Sequence, residues 1–534
     1  MSTIGRLRIS VSPSAAFGSR RRLFGALERA YPATFVPADE WTGDGVDAAI
    51  LVGGEAPERR SIPALELGQR EGRGSGRIEF GNRDPVPRSF HGAALADEHS
   101  GNLQPLEARS GESILATLAG KPLWTHRAGA WRSAAAPDEL ADDESIRERL
   151  APGRFVALLP LVDFVRRLTA PLDWTPTPLR ACFVVDDPNL YRARYGYIDY
   201  AALARTAREH DFHAAMALIP LDAWYASAAA SRIFRTEATR LSLLVHGNNH
   251  ISKELGRERP PEEFDAMFAQ ALRRVARFER RTGLTVARVM AAPHGAVCHG
   301  ARDGLDRVGF DAICSTNAYA WDADDALRGW ASGGFASGCL AAFPRLPWSG
   351  PLDDLPFRTY LGQPLILYGH HDDLAAGPET LAAVAESVRR SGDVRWVSLD
   401  AMVKTSVETR VDGSRLAVRL LSRRAEVDVP AGIEDVAVEL HPSLATGEAV
   451  SVMSEAGGRR TTHAVSAGSA LGLGRPTAGT LALRLTSSAE LDLEAVGNAR
   501  RTAWPLLRRA LTYTRDQTMP VMRRGRESAA RSAP

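Results

Sequence analysis

Short apolar runs alternate with amphipathic stretches along most of this chain, and the rhythm changes twice. From residue 5 to 54, Leu7 to Val11 predicts a strand and Arg20 to Tyr31 an amphipathic helix. Asp47 to Val52 predicts a buried strand ending at Gly53-Gly54. The Gly- and Arg-rich stretch Gly68 to Gly81 predicts a mobile loop. Ser113 to Trp124 supplies further strand material, with Lys121 to Trp124 ending one element. A Pro- and Thr-rich linker follows from Pro171 to Pro178.

Residues 181–400 then repeat strand and helix. The predicted strands are Ala181–Val185, His213–Ile219, Leu241–His246, Val286–Ala292, Ala312–Ser315, Leu365–Tyr368 and Arg395–Val397. Pro261 to Thr282 and Pro378 to Ser391 are predicted helices. Parallel units of this kind close into a barrel or an open doubly wound sheet. After Lys404 the pattern shortens to alternating strands at Val411–Leu421, Glu434–Leu440, Ala449–Met453 and Thr480–Leu485, as in a β-sandwich. The tail from Ala499 mixes arginine with Leu, Trp and Tyr. The division expected is an α/β domain (1–170), a catalytic domain (171–404), a β-sandwich (405–495) and an Arg-rich helix running into a disordered end (496–534). The first of these, α/β with flavodoxin-like or amidotransferase-like connectivity, has no cysteine before Cys182, which excludes a glutaminase-type nucleophile there. It is expected to be non-catalytic.

At 534 residues with 44% hydrophobic and 24% charged content, the chain has the composition of a globular protein of several domains. A formal net charge of +2 argues against nucleic acid as a partner. No apolar stretch is long enough to span a bilayer. The first ten residues lack the apolar core of an export signal, so a cytoplasmic location is expected. Cys182, Cys298, Cys314 and Cys339 show no CxxC pairing and read as free thiols. The Arg-rich tail is a candidate peripheral contact with a membrane or a protein, although a solvated helix is its simpler reading.

The chemistry sits where apolar runs end. Phe183-Val-Val-Asp-Asp-Pro-Asn189 closes one run with two carboxylates, and His246-Gly-Asn-Asn-His250 closes another with two imidazoles. A carboxylate and two histidines at one sheet edge make a three-ligand site with open positions, as catalytic metals have. Of the Asp186-Asp187 pair, one can bind the metal while the other stays free as a base. Gly247 and the asparagines predict a strand-to-helix corner with His250 in the first helical turn. Met290-Ala-Ala-Pro-His-Gly295 ends a further run in a turn whose backbone amides can face a ligand. Ile366-Leu-Tyr-Gly-His-His-Asp-Asp373 ends another with His370 and His371, either of which can donate a proton.

In this order the motifs resemble those of the NodB-homology polysaccharide deacetylases, metal-dependent carbohydrate esterases with a distorted (β/α) barrel. The resemblance covers residues 181–400. It implies Asp186 as catalytic base, and Asp187, His246 and His250 as ligands of one divalent metal, with zinc the first choice. Pro293, His294 and Gly295 would form the substrate and oxyanion turn, and His371, or else His370, the acid. The substrate implied is an N-acetylated sugar or glycan; an O-acetyl ester, another amide, or an inactive carbohydrate-binding scaffold are the alternatives. The family's base-orienting arginine falls at Ala291 here, and His294 stands at the aromatic position of the third motif.

Overall fold

The computed structural model describes residues 5–40, 45–56, 61–316, 325–441, 444, 450–456, 459–465, 470–474, 479–500 and 502–531. Its contacts divide the chain into two compact units. The first comprises Met1–Thr175 and two later excursions carrying Trp330 and Phe357. Its nine-stranded sheet starts as the parallel layer expected, with Leu7–Ser12 between Ala33–Pro37 and Ala48–Val52, followed by Ala64–Leu67 and Ala130–Ser133. The remaining strands are antiparallel, so the sheet is mixed and departs from an all-parallel flavodoxin-like layer. The stretch expected as a mobile loop contains a strand, Gly76–Phe80, paired on both edges. Lys121 opens a strand rather than ending one: Ser113–Leu118 and Lys121–Arg127 form a hairpin turning at Ala119-Gly120, both at positive φ.

In the second unit, seven parallel strands close into a barrel: Arg180–Asp186, Ala214–Leu218, Leu241–His246, Val286–Ala291, Ala312–Ser315, Leu340–Pro347 and Leu365–Gly369. The last pairs with the first, and the first pairs with the second at Phe183↔Ala214, which closes the ring. Six of these strands follow the sequence pattern. Leu340–Pro347 does not, because Pro344 and Pro347 speak against a central strand.

Strand side chains alternate, so every second residue faces the barrel axis. Cys182, Val184, Ala215, Ala217, Leu244, Val289, Ala291, Ala312, Cys314, Ala341, Phe343 and Ile366 share one buried cluster. Many are small, which suits a narrow interior. The cysteines among them are filler; burial pushes the Cys314 thiol up to about 12. Counting two further along the same parity gives Asp186 after Val184, His246 after Leu244, Arg345 after Phe343 and Tyr368 after Ile366. The polar end of the barrel is therefore the next layer of its own core.

Beyond the barrel lie two sheets of five and four strands. Residues of both, including Leu416, Val418, Val436, Val427, Val452 and Leu483, share one hydrophobic core. The run expected as a single strand from Val411 is a hairpin, Val407–Asp412 and Arg415–Leu420. The strand expected at Ala449–Met453 is Val450–Ala456; Ala449 lies outside the described residues. Arg423, fully buried, ties these sheets to the barrel through Asp306 and the Phe310 carbonyl, and also pairs with Glu490. A helix, Trp504–Arg531, follows; the last three residues of the expected disordered end are outside those described.

Candidate active site

Asp186 ends the first barrel strand fully buried, and Asp187 follows at φ +78°, a left-handed conformation that Asp tolerates better than most residues. The turn swings the second carboxylate to the same side as the first. His250 and His294 also sit at positive φ, 54° and 57°. Such strained residues cluster where the surroundings over-determine them.

The loop after His246 is not the helical corner expected. Residues 247–250 wrap around the buried carboxylate of Glu254, to which the backbone N–H groups of Asn248, Asn249 and His250 donate at 2.9–3.0 Å. Gly247, at φ +61°, has no room for a side chain between Glu254 and Pro293. Arg274 donates to both asparagine side chains, so the two amides are anchors of the loop rather than groups offered to a substrate.

The three expected ligands do converge: the side chains of Asp187, His246 and His250 each offer one atom within 4.8 Å of the others. Nε2 of His250 lies 3.1 Å and Nε2 of His246 3.5 Å from Asp187 Oδ1. His246 Nδ1 is 2.9 Å from the Ala291 carbonyl, which can only accept, so Nδ1 carries a proton and Nε2 is the nitrogen turned to Asp187. Burial, with His246 beside it, pushes His250 down to about 3, so its contact with Asp187 is not an ion pair at neutral pH. Burial works to raise the Asp187 carboxyl, but His250, His246 and Arg509 hold it well below the usual carboxylate range. Asp187 Oδ1 is buried and makes no hydrogen bond. An acceptor without a donor, faced by two imidazole nitrogens, is what a divalent cation satisfies.

Asp186 has a different partner. Nη1 of Arg345, from the sixth barrel strand, lies 3.0 and 2.9 Å from its two carboxylate oxygens, and Nη2 donates to the Ala292 carbonyl at 3.1 Å. The guanidinium is buried and lies 4.1 Å over the Tyr368 ring. Thus an arginine does orient the first aspartate, delivered by the sixth strand, two places round the barrel, rather than by position 291.

The doubled histidine separates. His370 is exposed, and its ring accepts the backbone N–H of Asp373. His371 is buried beneath Tyr195 and Tyr197, packed on Gly196, where a Cβ would strike its Nδ1. Its Nε2 lies 3.5 Å from Asp516 of the C-terminal helix. Burial works to raise the Asp516 carboxyl, but hydrogen bonds from His371, Tyr195 and Arg515 hold it below the usual range. From the same helix, Arg509 donates to Asp222 at 2.6 and 2.9 Å and to the Asp187 carbonyl at 3.4 Å. Nη1 of Arg508 also lies 3.4 Å from His250 Nδ1. The helix therefore does not hang free in solvent; it brings Arg508, Arg509 and Asp516 to the site. In the turn at Pro293, His294 and Gly295, the Gly295 N–H is already given to the Ala292 carbonyl, while the exposed His294 ring lies tilted 5.1 Å from that of His250.

No family model matches this chain. No curated protein matches it in sequence either. Solved structures that match include the family 4 carbohydrate esterase from Streptomyces lividans, 11% identical over 41% of this chain and 88% of that one, with TM-score 0.25. A peptidoglycan N-acetylglucosamine deacetylase is 14% identical over 43% and 92%, TM-score 0.27. A family 4 pseudoenzyme from Bacillus anthracis is 13% identical over 42% and 66%, TM-score 0.26. At such scores the likeness carries no weight on chemistry, and active and inactive proteins stand side by side among these matches.

Proposed function

We propose that this protein is a metal-dependent hydrolase that removes the acetyl group from an N-acetylated sugar or glycan. The observation that carries the reading is the division of labour within one dipeptide. Asp187 faces two imidazole nitrogens, while Asp186 is held by a buried guanidinium. A divalent ion, zinc being the first candidate for one carboxylate and two imidazoles, would be held by Asp187, His246 and His250 and would supply Lewis-acid polarisation and a more acidic water. Asp186 accepts the proton of the attacking water, and Arg345 holds that carboxylate in place. The backbone donor for the oxyanion narrows to His294, since Gly295 has spent its own N–H.

The acid is His371, because the Asp516 carboxylate is the counter-charge that a protonated imidazole needs. For it to act, the Tyr195–Gly196–Tyr197 turn has to yield and admit the leaving nitrogen. Exposure favours His370 as a second reading, but a ring that accepts a backbone N–H gives up that bond on protonation. Arg345 also weighs against an inactive scaffold, since a buried arginine on a buried aspartate is costly to keep without use.

The test is metal content beside acetate release from N-acetylglucosamine oligomers. We expect about one divalent ion per chain in the wild type, and loss of both metal and acetate release in His246→Ala/His250→Ala. Equal metal in the two proteins would refute the ligand set; metal without acetate release would leave the site standing and shift the substrate.

A further inference from the structure

The C-terminal helix Trp504–Arg531 is amphipathic the wrong way round for a helix packed on a globular core. Its inward face is charged: Arg509 and Asp516 are 4% and 1% exposed, committed to Asp222, Tyr195 and His371. Its outward face is apolar. Trp504, Leu507, Leu511 and Met522 recur at helical spacing and are each more than half exposed. Leu506 is exposed as well. On the adjoining surface stand exposed Trp224 and Tyr225, joined to the helix by the ring contacts Trp224–Tyr191 (5.3 Å) and Tyr191–Tyr513 (5.5 Å). Aromatic and aliphatic side chains so grouped mark a docking surface.

We infer that this face docks on an anionic lipid bilayer, with the helix lying in the headgroup plane. Charge selects that occupant. Between Ala499 and Arg531 the sequence has nine arginines, at 500, 501, 508, 509, 515, 523, 524, 526 and 531, against Asp516 and Glu527. Arg509 and Asp516 are both buried and spent on their partners, which leaves eight arginines against Glu527 alone, so the segment is strongly cationic as well as apolar. Tryptophan and leucine on one face with arginine beside them is the composition of an interfacial helix. Each arginine near an anionic surface adds to the attraction. Two copies of this helix packed on each other would bring like charges together, which disfavours a self-interface. No described helix is long and apolar enough to cross a membrane, so the helix lies on the surface rather than through it. The inference stands whatever bond the site cleaves.

The experiment is co-sedimentation of the full-length protein with vesicles of phosphatidylcholine alone and of equal phosphatidylcholine and phosphatidylglycerol. We expect binding to the anionic vesicles, at least about tenfold weaker on the neutral ones, and weakening with salt. Trp504→Ser/Leu507→Ser/Leu511→Ser should lower binding by about tenfold or more with its melting temperature unchanged, as these side chains are solvent-facing. Binding equal on both vesicle types, no binding, or a triple variant that binds like the wild type would overturn the proposal. So would a concentration-dependent dimer that the triple substitution dissociates, which would assign the face to a second copy.

Discussion

Asp186 and Arg345 form the pair on which the reading of this site turns, and both are fully desolvated. Removing one partner of such a pair leaves the other as an uncompensated buried charge, at a cost of about 3–5 kcal/mol. Arg345→Met should therefore lower the melting temperature and reduce turnover on the order of a hundredfold to ten-thousandfold, the range for losing a positioned base. It should keep its metal, because Asp187 and the histidines are untouched. Asp186→Asn/Arg345→Met should be more stable than Arg345→Met alone, since the double variant buries no lone charge. Calorimetry and metal analysis of the three proteins check this; a double variant less stable than the single would count against the pairing. The two aspartates and two histidines were legible in the sequence because each closes an apolar run with a residue type that apolar runs exclude. Glu254, Asp222 and Arg345 carried no such signal. Each is a single polar residue whose meaning comes from a neighbour on another element.

The elements that were misread explain why. Leu340–Pro347 is a barrel strand despite its two prolines, and by missing the strand one misses the arginine that it carries. The C-terminal helix was legible as a helix but not as part of the site, because no local pattern links residues 321 positions apart, as Tyr195 and Asp516 are. Its role can be read through leaving groups. If Asp516 supports His371 as the acid, Asp516→Asn and His371→Ala should slow amide cleavage at least about tenfold more than cleavage of activated aryl acetates, which need little protonation. His370→Ala should slow both alike or neither. An amide-selective defect in His370→Ala alone would move the acid to that residue, and equal losses on both substrates in Asp516→Asn would reduce the helix to a strut.

At the scale of the molecule, sequence order and compact unit do not coincide. The excursion carrying Phe357 leaves the barrel between its sixth and seventh strands and joins the core of the first unit, where Phe357 packs on Phe90 and Phe155 at 5.2 and 5.3 Å. Trp330 meets Tyr31 there in the same way. Deleting residues 1–175 should therefore expose Trp330, Phe357 and Tyr360 and yield self-associating protein. Adding Phe357→Gln/Tyr360→Gln should restore a monomer by light scattering, and a monomeric deletion product without them would contradict this account. Cutting at residue 404 would be worse, since it discards Arg509 and Asp516. That late contribution has a consequence in time. Ribosomes deliver about 5–20 residues per second, N-terminus first. Asp187 precedes Arg509 by 322 residues, so roughly 16 to 65 seconds separate their emergence. From the emergence of Gly369, which ends the seventh strand, until that of Arg509, the nascent barrel displays Asp187, His246 and His250 uncovered, and a chain stalled before Asp516 offers His371 no counter-charge. Translation itself withholds the finished site until that helix has been made.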